Sequence, residues 1–106
     1  METIRKDASP AVEILPGVLK KPRIRTEAVE ILELELAPGS ALLPHDMPSL
    51  VCFYVIEGVG TFTFADEAVT VPAGDMVRAE TGRLRFWSNR GGDVLRLLVI
   101  KSLDEK

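Results

Sequence analysis

Residues 29–36, Val-Glu-Ile-Leu-Glu-Leu-Glu-Leu, constrain the fold of this chain more than any other stretch. From Leu32 onward apolar and acidic residues alternate strictly. Leu32, Leu34 and Leu36 face one way, and Glu33 and Glu35 the other. Period two is a half-buried strand. A helix would scatter those leucines around its axis. The same signature returns at 51–56, where Val51, Phe53 and Val55 share one face and Cys52, Tyr54 and Ile56 the other, and again at 61–64. Short apolar runs at 68–71, 76–79, 84–88 and 94–100 are separated by Gly, Pro, Asn and Asp turn signals. No stretch reads as a long helix. Short strands closed by tight turns predict an all-β sandwich or barrel in a single domain.

Two stretches carry a more specific signal. In the first, Gly39 precedes His45 by six positions and Gly58 follows it by thirteen. In the second, Gly74, Gly82 and Asn89 recur at fixed intervals. These spacings resemble the two motifs of the cupin family, G(X)5HXH(X)3,4E(X)6G and G(X)5PXG(X)2H(X)3N. Gly39, His45, Pro48, Tyr54 and Gly58 fall where the first motif usually has them. The resemblance implies a jelly-roll barrel, the double-stranded β-helix, over residues 29–101. It leaves 1–28 as an N-terminal arm with short strands and 102–106 as a frayed tail. Arms of this kind often lie across a partner subunit in cupin dimers, and the apolar face of Cys52, Tyr54 and Ile56 needs covering. A homodimer is therefore expected, unless the chain's own N-terminal segment covers that face.

The departures from the motifs bear on chemistry. Metal-binding cupins take two His and a Glu from the first motif and a His from the second. Here those positions hold His45, Met47, Val51 and Arg85. Val51 has no lone pair, a thioether suits few metals, and Arg85 stays positively charged. No metal and no other cofactor is expected. In the family register, strand parity places Met47, Val51, Phe53, Val55, Arg85 and Trp87 around the barrel interior, with His45 at its edge. An apolar lining with a few convergent polar groups is the usual composition of a small-molecule pocket. Arg85 offers a planar fork for a carboxylate or phosphate. Its alternatives are a salt bridge with Asp46 or Glu80, or a position in solvent.

Three functional readings stay open. The first is a metal-free binding or sensing module for a small organic molecule, anionic or neutral, held through Arg85 and His45. The second is a metal-independent isomerase or epimerase with His45 as general base. The third is a metal-binding cupin with non-standard ligands around His45. The net charge of −3 gives no overall reason to bind nucleic acid or anionic lipid. The basic run 20–25 lacks the interleaved aromatics of a nucleic-acid surface. A single cysteine, no signal-peptide core and no membrane-length apolar run predict the cytoplasm.

Overall fold

The computed structural model describes residues 1–103, and among these there are nine strands and no helix. The strands are β1 (Val12–Leu15), β2 (Val18–Arg25), β3 (Val29–Leu36), β4 (Val51–Glu57), β5 (Val59–Phe64), β6 (Glu67–Pro72), β7 (Met76–Ala79), β8 (Arg85–Ser88) and β9 (Leu95–Ser102). All pair antiparallel. A six-stranded sheet has the order β1-β2-β3-β9-β4-β7, and a three-stranded sheet the order β6-β5-β8. The segment after β3 extends the smaller sheet through isolated bridges from Ala41 to Ser88 and from His45 to Arg85. The all-β fold read from the alternation, and the jelly roll that the cupin resemblance implied, are the fold observed.

Parity decides which residues form the core. Leu32, Leu34 and Leu36 are buried, as are Val51, Phe53 and Val55, while Glu33 and Glu35 reach the rim. Glu35 accepts a 2.7 Å hydrogen bond from Arg96 of β9. Asn89 is a lock between sheets: its Nδ2 donates to the carbonyls of Leu36 and Asp93, and its Oδ1 accepts from Gly91 N–H. The turn read at 89–93 therefore closes on a fully satisfied amide.

The ends of the chain are more integrated than an arm and a tail. β2 runs eight residues and pairs with β3 along its length, with Val18 fully buried. Residues 1–11 lie against β2, where Arg23 donates to the carbonyls of Ile4 and Arg5. The N-terminal segment is therefore three strands away from β4 and does not cover Tyr54 or Ile56. Ser102, expected in the frayed tail, is the last residue of β9, and Leu103 N–H donates to Ala28. Residues 104–106 of that tail lie outside the described residues.

Three rings join the two sheets. Phe53 of the large sheet meets Phe62 at 5.6 Å and Trp87 at 5.4 Å, and these two, cross-strand partners in the small sheet, lie 5.0 Å apart. Tilted and edge-on contacts at such distances suit aromatic quadrupoles. Trp87 can lie flat only because Gly60 has no side chain. A Cβ there would come within 2.7 Å of Trp87 Cζ3 and 3.0 Å of Leu95 Cδ2. Both neighbours are fully packed, so neither yields cheaply. Gly60→Ala should lower unfolding stability by about 1–3 kcal/mol, measured by urea denaturation. An unchanged midpoint would show that the Trp87 contact is loose.

Candidate functional site

Between the sheets lies a cavity of about 140 Å³. Its wall includes His45, Met47, Val51, Phe53, Arg85 and Trp87, all expected there from parity. Leu32, Leu34, Phe62 and Val99 are among its further apolar residues. Val55 was expected in the wall as well and is not part of it. It is fully buried, but it pairs with Leu97 deeper along β4, and its backbone is engaged by the 72–75 turn. With Leu36, Leu95, Leu97 and Val18 it forms a solid floor beneath the cavity.

Arg85 enters the interior through its backbone. The 40–45 segment runs antiparallel beside β8: Leu42 N–H donates to Trp87, and His45 and Arg85 exchange both amide hydrogen bonds at 3.1 and 3.0 Å. Fixed in this ladder, residues 85 and 87 point between the sheets. Arg85 is only 1% exposed. Its Nη1 donates to the Glu80 carbonyl at 2.8 Å. Neither expected salt bridge forms. Glu80 contributes its backbone, and the Asp46 carboxylate accepts from Gly82 N–H at 3.0 Å. Asp46 acts on the guanidinium only at longer range: burial pulls the Arg85 pKa down, and Asp46 partly opposes this. Among the described residues Nε and Nη2 of Arg85 have no partner, and neither does the indole Nε1 of Trp87. Nε–H and one Nη2–H lie along one edge of the guanidinium, the fork that receives a carboxylate side-on. Two residues of the cavity wall thus hold three buried donors without acceptors. Such groups are costly to leave unmade.

His45 is exposed at the mouth. Its Nδ1 lies 3.1 Å from the Leu43 carbonyl. A carbonyl can only accept, so the neutral ring carries its proton on Nδ1 and leaves a lone pair on Nε2. Among the described residues no carboxylate orients it. Among the described residues no three His, Cys, Asp or Glu side chains come together. The donors at the family's ligand positions, one imidazole, one thioether and a cation, do not fit a divalent metal.

The sequence reading missed two further cations on the wall, Lys20 and Lys101. Both obey parity. Lys20 is two residues from buried Val18, and Lys101 continues Leu95, Leu97 and Val99 along β9. The ionisable groups of the described wall are therefore Lys20, His45, Arg85 and Lys101, with no Asp or Glu among them. Arg85→Met should leave stability in urea unchanged or raise it, since the buried charge gives up one hydrogen bond and a desolvation penalty. A loss of about 3 kcal/mol or more would mean that an ion-pair partner holds the guanidinium.

A family model described as "Cupin domain" matches residues 32–101. Among curated proteins none matches. Many solved structures share the fold. The polyketide cyclase RemF from Streptomyces resistomycificus superposes with a TM-score of 0.86 at 19% identity, covering 98% of this chain and 80% of its own. A predicted oxalate decarboxylase from Thermotoga maritima gives 0.84 at 20% identity, covering 97% and 100%. KdgF from Halomonas sp. gives 0.82 at 16% identity, covering 95% and 93%.

Proposed function

This chain belongs to the cupin family, and on that premise we propose that it is a binding or sensing module that takes a small organic anion into its barrel without a metal. The observation that carries the reading is the buried guanidinium of Arg85, whose Nε and Nη2 lack acceptors. A carboxylate supplies two acceptors in the plane of that fork and the charge that burial leaves uncompensated. Trp87 Nε1 offers a further donor, and Lys20 and Lys101 add positive potential. The rest of the wall is apolar, so the remainder of the ligand is largely hydrocarbon. Its size follows from the space: about 150 Å³ of apolar cavity accommodates benzene, and this cavity measures about 140 Å³. A single-ring or short branched carboxylic acid fits.

One observation favours a second reading, a metal-independent isomerase or epimerase with His45 as base: the lone pair on Nε2. Binding is preferred because the orphaned donors are at depth, while the imidazole stands exposed at the mouth without a carboxylate to stabilise its charged form.

Benzoate should raise the melting temperature, and benzyl alcohol, of similar bulk without the charge, should not. Arg85→Met should weaken benzoate by about 1.5–3 kcal/mol, the worth of charge-assisted hydrogen bonds. If no small carboxylate shifts the melting curve, or Arg85→Met leaves the shift intact, the anion reading is wrong.

We also propose that the outer face of β4 and β7 pairs with a second copy. Tyr54, Ile56 and Met76 stand 37%, 41% and 59% exposed on that face. Tyr54 is the register partner of Met76, so the three form one apolar patch. Light scattering at micromolar concentration should give a dimer mass, and Ile56→Arg should give a monomer. A monomeric parent would contradict the pairing.

A further inference from the structure

We propose that Lys101 is a covalent element of this cavity, an amine that condenses with the carbonyl of a small 2-oxo acid while Arg85 holds the acid's carboxylate. The inference rests on the binding reading above and names the ligand class more narrowly.

Lys101 is placed by the sheet. It is the fourth inward residue of β9 after Leu95, Leu97 and Val99, and it lies opposite Val51 of β4 and Glu30 of β3. Its own side chain is half-buried and lines the cavity that Arg85 and Trp87 line. Among the described residues it makes no salt bridge. The one carboxylate across from it, Glu30, is held by Arg25 of β2 at 3.4 Å. The groups acting on it are Glu30 of β3, Lys20 and Arg25 of β2, and Arg85 of β8. Burial lowers its pKa most. Glu30 opposes this, and the three cations lower it further. Desolvation beside other cations is the setting that frees a lysine amine to act as a nucleophile near neutral pH. Lys20 also lines the wall. It is flanked by Val12, 54% exposed on the edge strand β1, so it sits nearer open water.

The ligand class follows from the pair. In a 2-oxo acid the carbonyl carbon is bonded directly to the carboxylate carbon. An acid seated on the Arg85 fork carries its carbonyl within the same cavity as the amine. The neutral Nζ adds its lone pair to the carbonyl carbon, and the π pair moves to oxygen, which takes up a proton. The resulting carbinolamine loses one water as the C=N bond forms. One ketone and one amine give one imine and one water, with no oxidation or reduction. An apolar wall that holds little water favours the imine over its hydrolysis.

The test uses the full chain with pyruvate and sodium cyanoborohydride near neutral pH, followed by mass mapping of peptides. The expected result is a reduced adduct on Lys101 ahead of Lys6, Lys20, Lys21, Lys106 and the α-amino group. Benzoate, which has no ketone, should suppress it. Lys101→Met, with an unchanged far-ultraviolet spectrum, should lose it. Labelling spread across the lysines, labelling that benzoate does not suppress, or an equal adduct in Lys101→Met would overturn the proposal. If benzoate stabilises the protein and Lys101 still resists trapping, the amine role alone falls. If benzoate does not bind and pyruvate does not label, the anion reading falls and this one with it.

Discussion

Two sheets can enclose a usable space only if something holds them together and apart at once. Here that is the cluster of Phe53, Phe62 and Trp87, with ring centres 5.0–5.6 Å apart. Phe53 comes from the large sheet and the other two from the small one. Each ring is too wide to let the sheets collapse at that level, and tilted contacts bind them where they meet. Below the cluster the interior is filled: Gly60 admits the indole edge, and Val18, Leu36, Val55, Leu95 and Leu97 are all fully buried. Above it the side chains of the wall leave a cavity of about 140 Å³. Small barrels lie at the size where the interior either packs solid or leaves room for one small ligand; this one packs solid at its floor and leaves a cavity above.

The chemistry of that space depends on where one cation is tied. Arg85 and His45 exchange both backbone hydrogen bonds, so Arg85 is a fixed member of the small sheet. Its guanidinium goes inward by parity and finds one carbonyl, that of Glu80. The acids nearest in sequence are committed elsewhere or contribute only backbone. A buried charge short of partners destabilises the empty protein relative to an apolar substitute. On the proposed reading the same shortage makes the site selective, because an anion relieves it and a neutral ligand does not. On that reading the cost of the buried charge and the proposed preference for a carboxylate are two views of one desolvated group.

Much of this was legible in the sequence, for a physical reason. Period two reports which face of a strand is wet, so Leu32, Leu34 and Leu36 could be turned inward from the letters alone, while Val51, Phe53, Arg85 and Trp87 needed the register of the cupin motifs as well. Turn residues set the strand boundaries for the same kind of reason, since glycines such as Gly58, at φ 86°, adopt backbone that other residues avoid. Parity gives the face but not the height along the barrel. Val55 therefore read as cavity wall and proved to be floor. Lys101 sits beside a charged, short tail and read as its boundary, although its parity with Val99 was available. Lys20 was hidden inside a basic run that reads as solvated. The Glu80 carbonyl could not have been found by any rule of charge, because it depends on how the 80–85 turn closes in space.

The central claim is that Arg85 keeps a free, buried fork for a carboxylate. The side-chain Nε–H resonance of Arg85, observed by nitrogen-15 nuclear magnetic resonance during a benzoate titration and assigned by its loss in Arg85→Met, tests it most directly. The account predicts a protected resonance that moves to lower field as a charge-assisted hydrogen bond forms, while the other arginine Nε–H signals stay in place. A resonance that benzoate leaves unmoved, or that shifts no more than those of Arg23 and Arg96, would contradict it.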